Sequence, residues 1–131
     1  MGYLGRLFGD REGKEEAKRG SLPWIGLTEM DQLEAIDRRS FEKSQLVYKH
    51  STSCGISSMV LNAFTRGFTH EEEKADMYFL DIHRSRPISN EIALRYGIRH
   101  ESPQLLVIKN GTVVAHNSHG GIAEMELSPF L

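Results

Sequence analysis

The chain carries one thiol, Cys54, in the run Ser51-Thr52-Ser53-Cys54-Gly55-Ile56-Ser57. A lone cysteine can be a small buried hydrophobe or a reactive group. The small polar neighbours and the flanking patterns favour the reactive reading. Leu46, Val47 and Tyr48 form a compact run of β-formers just upstream. Downstream, Ile56, Met59, Val60, Leu61 and Phe64 keep helical spacing as far as Gly67. Cys54 therefore falls where a strand hands over to a helix. The first N–H groups of a helix are unpaired and its dipole is positive there, so a thiolate, the nucleophilic form, is stabilised. Ser57 stands three residues on, on the same helical face. A serine there can hydrogen-bond to a thiolate, but its hydroxyl is too weak a nucleophile to resolve a mixed disulfide. With one cysteine, no intrachain disulfide and no multi-cysteine metal cage can form, so any disulfide chemistry takes its second sulfur from another molecule.

Ser102-Pro103-Gln104 precedes another apolar run. A proline entering a strand is either trans at the strand's first residue or a cis bond that leaves neighbouring backbone groups facing an extended ligand. Arg84, Arg86, Arg99, His100 and His119 fall in loops from which an anion could be met. His116 and His119 lack a clear third ligand, and no metal is expected.

The elements that must hold these residues can be read from periodicity and turn chemistry. Trp24-Ile25-Gly26-Leu27 reads as a brief strand. Thr28, with Asp31 three residues on, reads as the N-cap of a helix over 29–39 whose apolar positions are Met30, Leu33 and Ile36. Strands are expected over 43–50, 77–82, 104–109 and 112–116, the last two joined by the hairpin signal Asn110-Gly111. Pro87 opens a helix closed by Gly97, and Gly120-Gly121 leads into a short closing helix through Ile122, Met125 and Leu127. Alternating strands and helices followed by a hairpin predict an α/β fold: a central mixed sheet with helices on both faces.

A length of 131 residues with 39% hydrophobic and 26% charged residues fits one foldable domain. We place that domain at 22–131, behind a charged, mobile lead-in over 1–21. The net charge of −2 argues against nucleic acid as partner. Neither a secretory signal nor a membrane-spanning apolar run is present, and the sixth residue, Arg6, breaks a myristoylation pattern, so a cytoplasmic protein without membrane partners is expected.

The strand-Cys-helix element, the Ser102-Pro103 turn and the Asn110-Gly111 hairpin, in this order, resemble a thioredoxin-like domain. More narrowly, Trp24, Leu27, the segment Thr52-Ser53-Cys54-Gly55-Ile56-Ser57 and Ser102-Pro103-Gln104 resemble the YtxJ-type monothiol bacilliredoxins of the bacterial bacillithiol system. The similarity spans about residues 22–127. It implies a thiol-disulfide oxidoreductase, acting as a monomer, in which Cys54 takes bacillithiol from a mixed disulfide on a protein and a second thiol from solution releases it. Bacillithiol is then the thiol co-substrate. Bacillithiol joins its thiol to an anionic sugar malate, which suits backbone donors at Thr52, Ser53 and Gly55, the Ser102-Pro103 approach, and the Gly120-Gly121 turn, by analogy with glutaredoxin-like folds. Family members commonly carry proline after the cysteine, where this chain has Gly55. Cys-Gly-Ile-Ser also resembles the Cys-Gly-Phe-Ser signature of monothiol glutaredoxins, which implies a homodimeric iron–sulfur cluster carrier as an alternative. A thiol redox sensor without turnover is a third reading.

Overall fold

A computed structural model of the chain describes residues 22–53, 55–70 and 72–131. The lead-in over 1–21 and Cys54 itself lie outside the described residues. The elements, in chain order, are β1 (Ile25–Gly26), α1 (Gln32–Arg39), β2 (Ser44–His50), α2 (Gly55–Gly67), a 3-10 turn (Glu72–Lys74), β3 (Ala75–Asp81), α3 (Arg86–Tyr96), β4 (Gln104–Lys109), β5 (Thr112–Ser118) and two further 3-10 segments (His119–Glu124, Ser128–Phe130).

The strands form one five-stranded sheet in the order β1-β3-β2-β4-β5. β3 runs parallel to β1 and β2, whereas β4 is antiparallel to β2 and β5 to β4. The mixed sheet is the expected one. β2 is buried along its whole length because it has a partner on each edge and helices over each face. Its side chains alternate between two cores. Leu46 and Tyr48, with Met77, Phe79, Leu105 and Val107 of the neighbouring strands, pack against Val60, Leu61 and Phe64 of α2 and against Ile122. Val47, with Tyr78, Leu80, Leu106 and Ile108, packs against Leu33 and Ile36 of α1 and Ile88 and Ile92 of α3. That period of two is what a pleated strand imposes.

The two helices of the second face are also tied to each other: Arg95 of α3 reaches Glu34 (3.0 Å) and Asp37 (3.4 Å) of α1, and Tyr96 donates its hydroxyl hydrogen to Asp37. Pro87 lies in the first turn of α3, and Gly97, at φ +68°, ends it in the left-handed region that glycine enters without strain. The Asn110-Gly111 hairpin is present with both residues at positive φ (54° and 79°), and Ser40, at the end of α1, accepts from both turn N–H groups.

Two local expectations are corrected, and a third segment is only partly buried. Thr28 does not cap α1; instead Gln32 Oε1 accepts the N–H groups of Thr28 and Glu29, each at 2.8 Å, while its amide donates to Gly26 O. One side chain thus ends the loop and ties the helix to β1. The closing helix is a 3-10 segment, His119–Glu124, not an α-helix. In α2 the buried apolar set is Val60, Leu61 and Phe64, with Ile56 and Met59 left 55% and 71% exposed.

Candidate functional site

Strand register decides which loops meet. Lys49 of β2 pairs with Leu80 of β3 and Gln104 of β4, His50 pairs with Asp81, and Gln104 pairs with Ser118 of β5. The segments 51–55, 82–85, 99–103 and 118–121 therefore leave the sheet at one end. Cys54 follows β2 by four residues and immediately precedes Gly55, the first residue of α2. That is the strand-to-helix position expected for it.

Ser57 is fully buried, and its Oγ has no hydrogen-bond partner among the described residues. A buried hydroxyl in that state costs about 1–3 kcal/mol unless something fills it. Ser57 lies in the first turn of α2, three residues after Cys54 in the chain. Beneath the loop, the imidazole of His50 is buried against Phe79 (ring centroids 5.1 Å apart) and Tyr48 (6.3 Å), within an aromatic cluster that includes Trp24 and Phe64. Ser51 is buried, Thr52 and Ser53 are exposed, and Gly55 has open space where a Cβ would sit.

The Ser102–Pro103 bond is cis. The carbonyl of Pro103 accepts from the N–H of His119 at 3.0 Å, so it is used within the protein and is not offered to a ligand. The Gly120-Gly121 pair divides in two. A methyl group on Gly120 would have nothing within 4 Å, whereas a Cβ on Gly121 would come 2.4 Å from Asn117 Oδ1. Close packing on Asn117 explains the absence of a side chain at Gly121, and only Gly120 is open to an approaching group. Gly120, His119 and Ala123 face Ile56, Met59, Val60 and Ala63 of α2 across an open groove of about 440 Å³. The structure thus brings Gly120 beside the helix that follows Cys54, across a solvent-open groove with an apolar lining.

Two side chains of this end escaped the reading of the sequence. Lys49 is wholly buried on the α1/α3 side, its Nζ donating to Ser89 O of α3 (3.3 Å) and lying 3.3 Å from His100 Nδ1. Burial pushes the Lys49 ammonium down to about 8. Burial first, then repulsion from Lys49 and Arg86, also pushes His100 down. His100 is thereby engaged with Lys49 and Ser89. The signal available in the sequence was a lysine at the position after Tyr48, where alternation places it on the Val47 side of a buried strand. The second is His83, whose Nε2 lies 2.9 Å from Ser51 Oγ and 3.0 Å from Ser53 Oγ. No spacing rule links a residue after β3 to the Cys54 loop.

This end of the sheet, where the segment that carries the lone thiol joins a buried strand to a helix and a cis-proline turn enters β4, matches known proteins. The family model described as monothiol bacilliredoxin BrxC matches residues 25–127. The chain belongs to the monothiol bacilliredoxin family. Among solved structures, it is 33% identical to a provisionally named oxidoreductase with a thioredoxin fold, covering 77% of this chain and 93% of that one at a TM-score of 0.62. The thioredoxin Mala s 13 of Malassezia sympodialis (21% identity, 76% and 81% covered, TM-score 0.60) and the thioredoxin of Trypanosoma brucei brucei (11%, 77% and 82%, TM-score 0.62) share the fold. This bacilliredoxin is a thiol-disulfide oxidoreductase of thioredoxin fold. Among its described residues no helix is long and apolar enough to cross a membrane.

Proposed function

We propose that the protein removes bacillithiol from mixed disulfides on other proteins, with Cys54 as nucleophile. The observation that carries this reading is the buried Ser57 hydroxyl, which has no hydrogen-bond partner among the described residues, three residues after the chain's one thiol and at the start of α2. It supplies a hydrogen bond to a thiolate and no second nucleophile. In the first step the Cys54 thiolate attacks the bacillithiol sulfur. A bond forms between Cys54 and that sulfur, the original disulfide breaks, and the substrate protein leaves as a thiolate that takes a proton from water. In the second step an external thiolate attacks the bacillithiol sulfur held by Cys54, giving a small disulfide and the free Cys54 thiolate. Electrons balance in each exchange, and the net reductant is the external thiol.

Backbone donors at Thr52, Ser53 and Gly55, the Ser102-Pro103 turn and the open position at Gly120 form the proposed bacillithiol surface, and the groove by Ile56 and Met59 takes the protein part of the substrate. In this reading the folded unit is 22–131, the setting is the cytoplasm, and the partners are bacillithiolated proteins and a small thiol. Incubation with an S-bacillithiolated protein tests it: wild type should acquire one bacillithiol on Cys54 while releasing the substrate thiol, and Cys54→Ser should do neither. Equal release by both would overturn the proposal.

A further inference from the structure

Ile56 and Met59 of α2, 55% and 71% exposed, form with Ala63 and Ala123 the apolar lining of the groove of about 440 Å³ beside Gly120. No residue that lines it carries a carboxylate, an ammonium or a guanidinium. Contiguous apolar surface left open to water marks a docking site. The start of the chain has matching chemistry. Tyr3, Leu4, Leu7 and Phe8 are spaced so that they can share one helical face, and Arg6, the one charged side chain between Met1 and Gly9, falls off that face. Residues 10–20, DREGKEEAKRG, are mostly charged and bring no apolar face of their own. We propose that the apolar run Tyr3 to Phe8 docks in cis in the groove between α2 and the Gly120 turn, where it must give way before a substrate protein binds.

The tether starts on the right face and is long enough. Leu22, the first described residue, packs against the core cluster that holds Val60 and Phe64 of α2, and the Trp24 ring lies 6.2 Å from that of Phe64. The chain thus enters the fold on the side of the sheet that α2 covers. α2 has 13 residues and is therefore about 20 Å long. The residues between Phe8 and Leu22 span up to about 45 Å when extended. Tyr3 to Phe8 can then reach any part of α2. A tether of this length holds its end at roughly millimolar local concentration, so a weak apolar contact suffices to fill the groove, and a substrate protein must compete with it. The effect on substrates rests on the proposed use of the groove by the protein part of the substrate; the docking itself does not.

Methionine methyl NMR of the full chain, with a neutral gadolinium chelate in solution as the probe of exposure, tests the docking. Met59 lies in the groove and Met30 outside it, and in the fold over residues 22–131 Met59 is the more exposed, 71% against 44%. With the segment docked that order inverts: in the wild type the chelate should relax Met59 severalfold less than Met30, and dilution should not change this. In Leu4→Asp/Leu7→Asp, whose substitutions lie outside residues 22–131, Met59 should relax more than Met30, whereas Glu15→Ser/Glu16→Ser should behave as wild type. A wild-type Met59 relaxed more than Met30, a Met59 still shielded in Leu4→Asp/Leu7→Asp, or shielding that is lost on dilution, the mark of a second copy in the groove, would each overturn the proposal. Turnover of an S-bacillithiolated protein reads the competition: Leu4→Asp/Leu7→Asp should lower KM severalfold and leave kcat in place. A shielded Met59 with KM unchanged in that variant would overturn the claim that the segment gives way to substrate. If no chain transfers bacillithiol, the proposed function fails, and the methyl relaxation still decides whether the segment docks.

Discussion

Replacing Lys49 with methionine should make the protein more stable at neutral pH. The ammonium is wholly buried and no carboxylate among the described residues pairs with it; its polar neighbours are Ser89 O and His100 Nδ1, each at 3.3 Å. Its fall from 10.5 to about 8 means that keeping it charged at neutral pH costs roughly 3 kcal/mol, at about 1.4 kcal/mol per unit. Methionine is of similar length and apolar. It gives up the hydrogen bond to Ser89 O, worth about 1.5–2 kcal/mol for a charged donor, so the net gain is about 1–2 kcal/mol. The wild type should also show a pH signature. Between about pH 8 and 10.5 the unfolded chain binds a proton that the folded one has released, so stability rises with pH through that window. The rise from pH 7 to about 9.5 is about 2 kcal/mol. Burial holds Tyr48, Tyr78 and Tyr96 above their usual values, and this opposes the rise only above about pH 10. Urea unfolding at pH 7 and about 9.5, followed by the fluorescence of Trp24, the chain's one tryptophan, measures both effects. A wild type whose stability is flat or falls over that range, or a Lys49→Met variant that keeps the wild-type slope, would refute the reasoning.

Other outcomes follow from the same geometry. Ser57→Ala removes a buried hydroxyl with no partner among the described residues, so stability should hold or rise by up to about 1 kcal/mol while Cys54 alkylation at pH 7 slows severalfold; chemical denaturation and alkylation kinetics read the two apart. Asp76 accepts from Arg39 (2.7 Å) and Gln45 (2.8 Å) and faces Lys43 (3.3 Å), and against the upward push of burial these hold its carboxyl below the usual range. The stability it confers is therefore full above about pH 4 and lost as pH falls through its lower folded value, so Asp76→Asn should destabilise the fold at pH 7, with the gap closing in acid titrations. Gly121→Ala should cost about 1 kcal/mol, because the new methyl displaces the Asn117 side chain from the N–H of Ser118, whereas Gly120→Ala should leave melting unchanged and raise KM for a bacillithiolated substrate.

Much of the fold was legible because the signals are local. Compact apolar runs within 44–50 and 104–109, helical spacing after Gly55, and the Asn110-Gly111 turn each act over a few residues, and the structure places β2, α2, β4 and the hairpin where those patterns put them. The departures are equally local in origin. Thr28 has the right type for a cap, but Gln32, a few residues further on, reaches back to occupy the same N–H groups. Ile56 and Met59 keep the helical spacing of their neighbours, yet they line the open groove beside Gly120 and Ala123 and stay exposed.

The sequence by itself determined that there is one thiol, that it stands between strand-forming and helix-forming residues, and that no second cysteine can resolve what it forms; composition and short-range periodicity suffice for that. Tertiary structure alone decided what surrounds it. His83 is 30 residues from Ser53, and Lys49 lies 40 from Ser89 and 51 from His100. These pairs meet because hydrogen-bond register aligns the ends of β2, β3 and β4, and register depends on how every side chain of the sheet divides between its two cores.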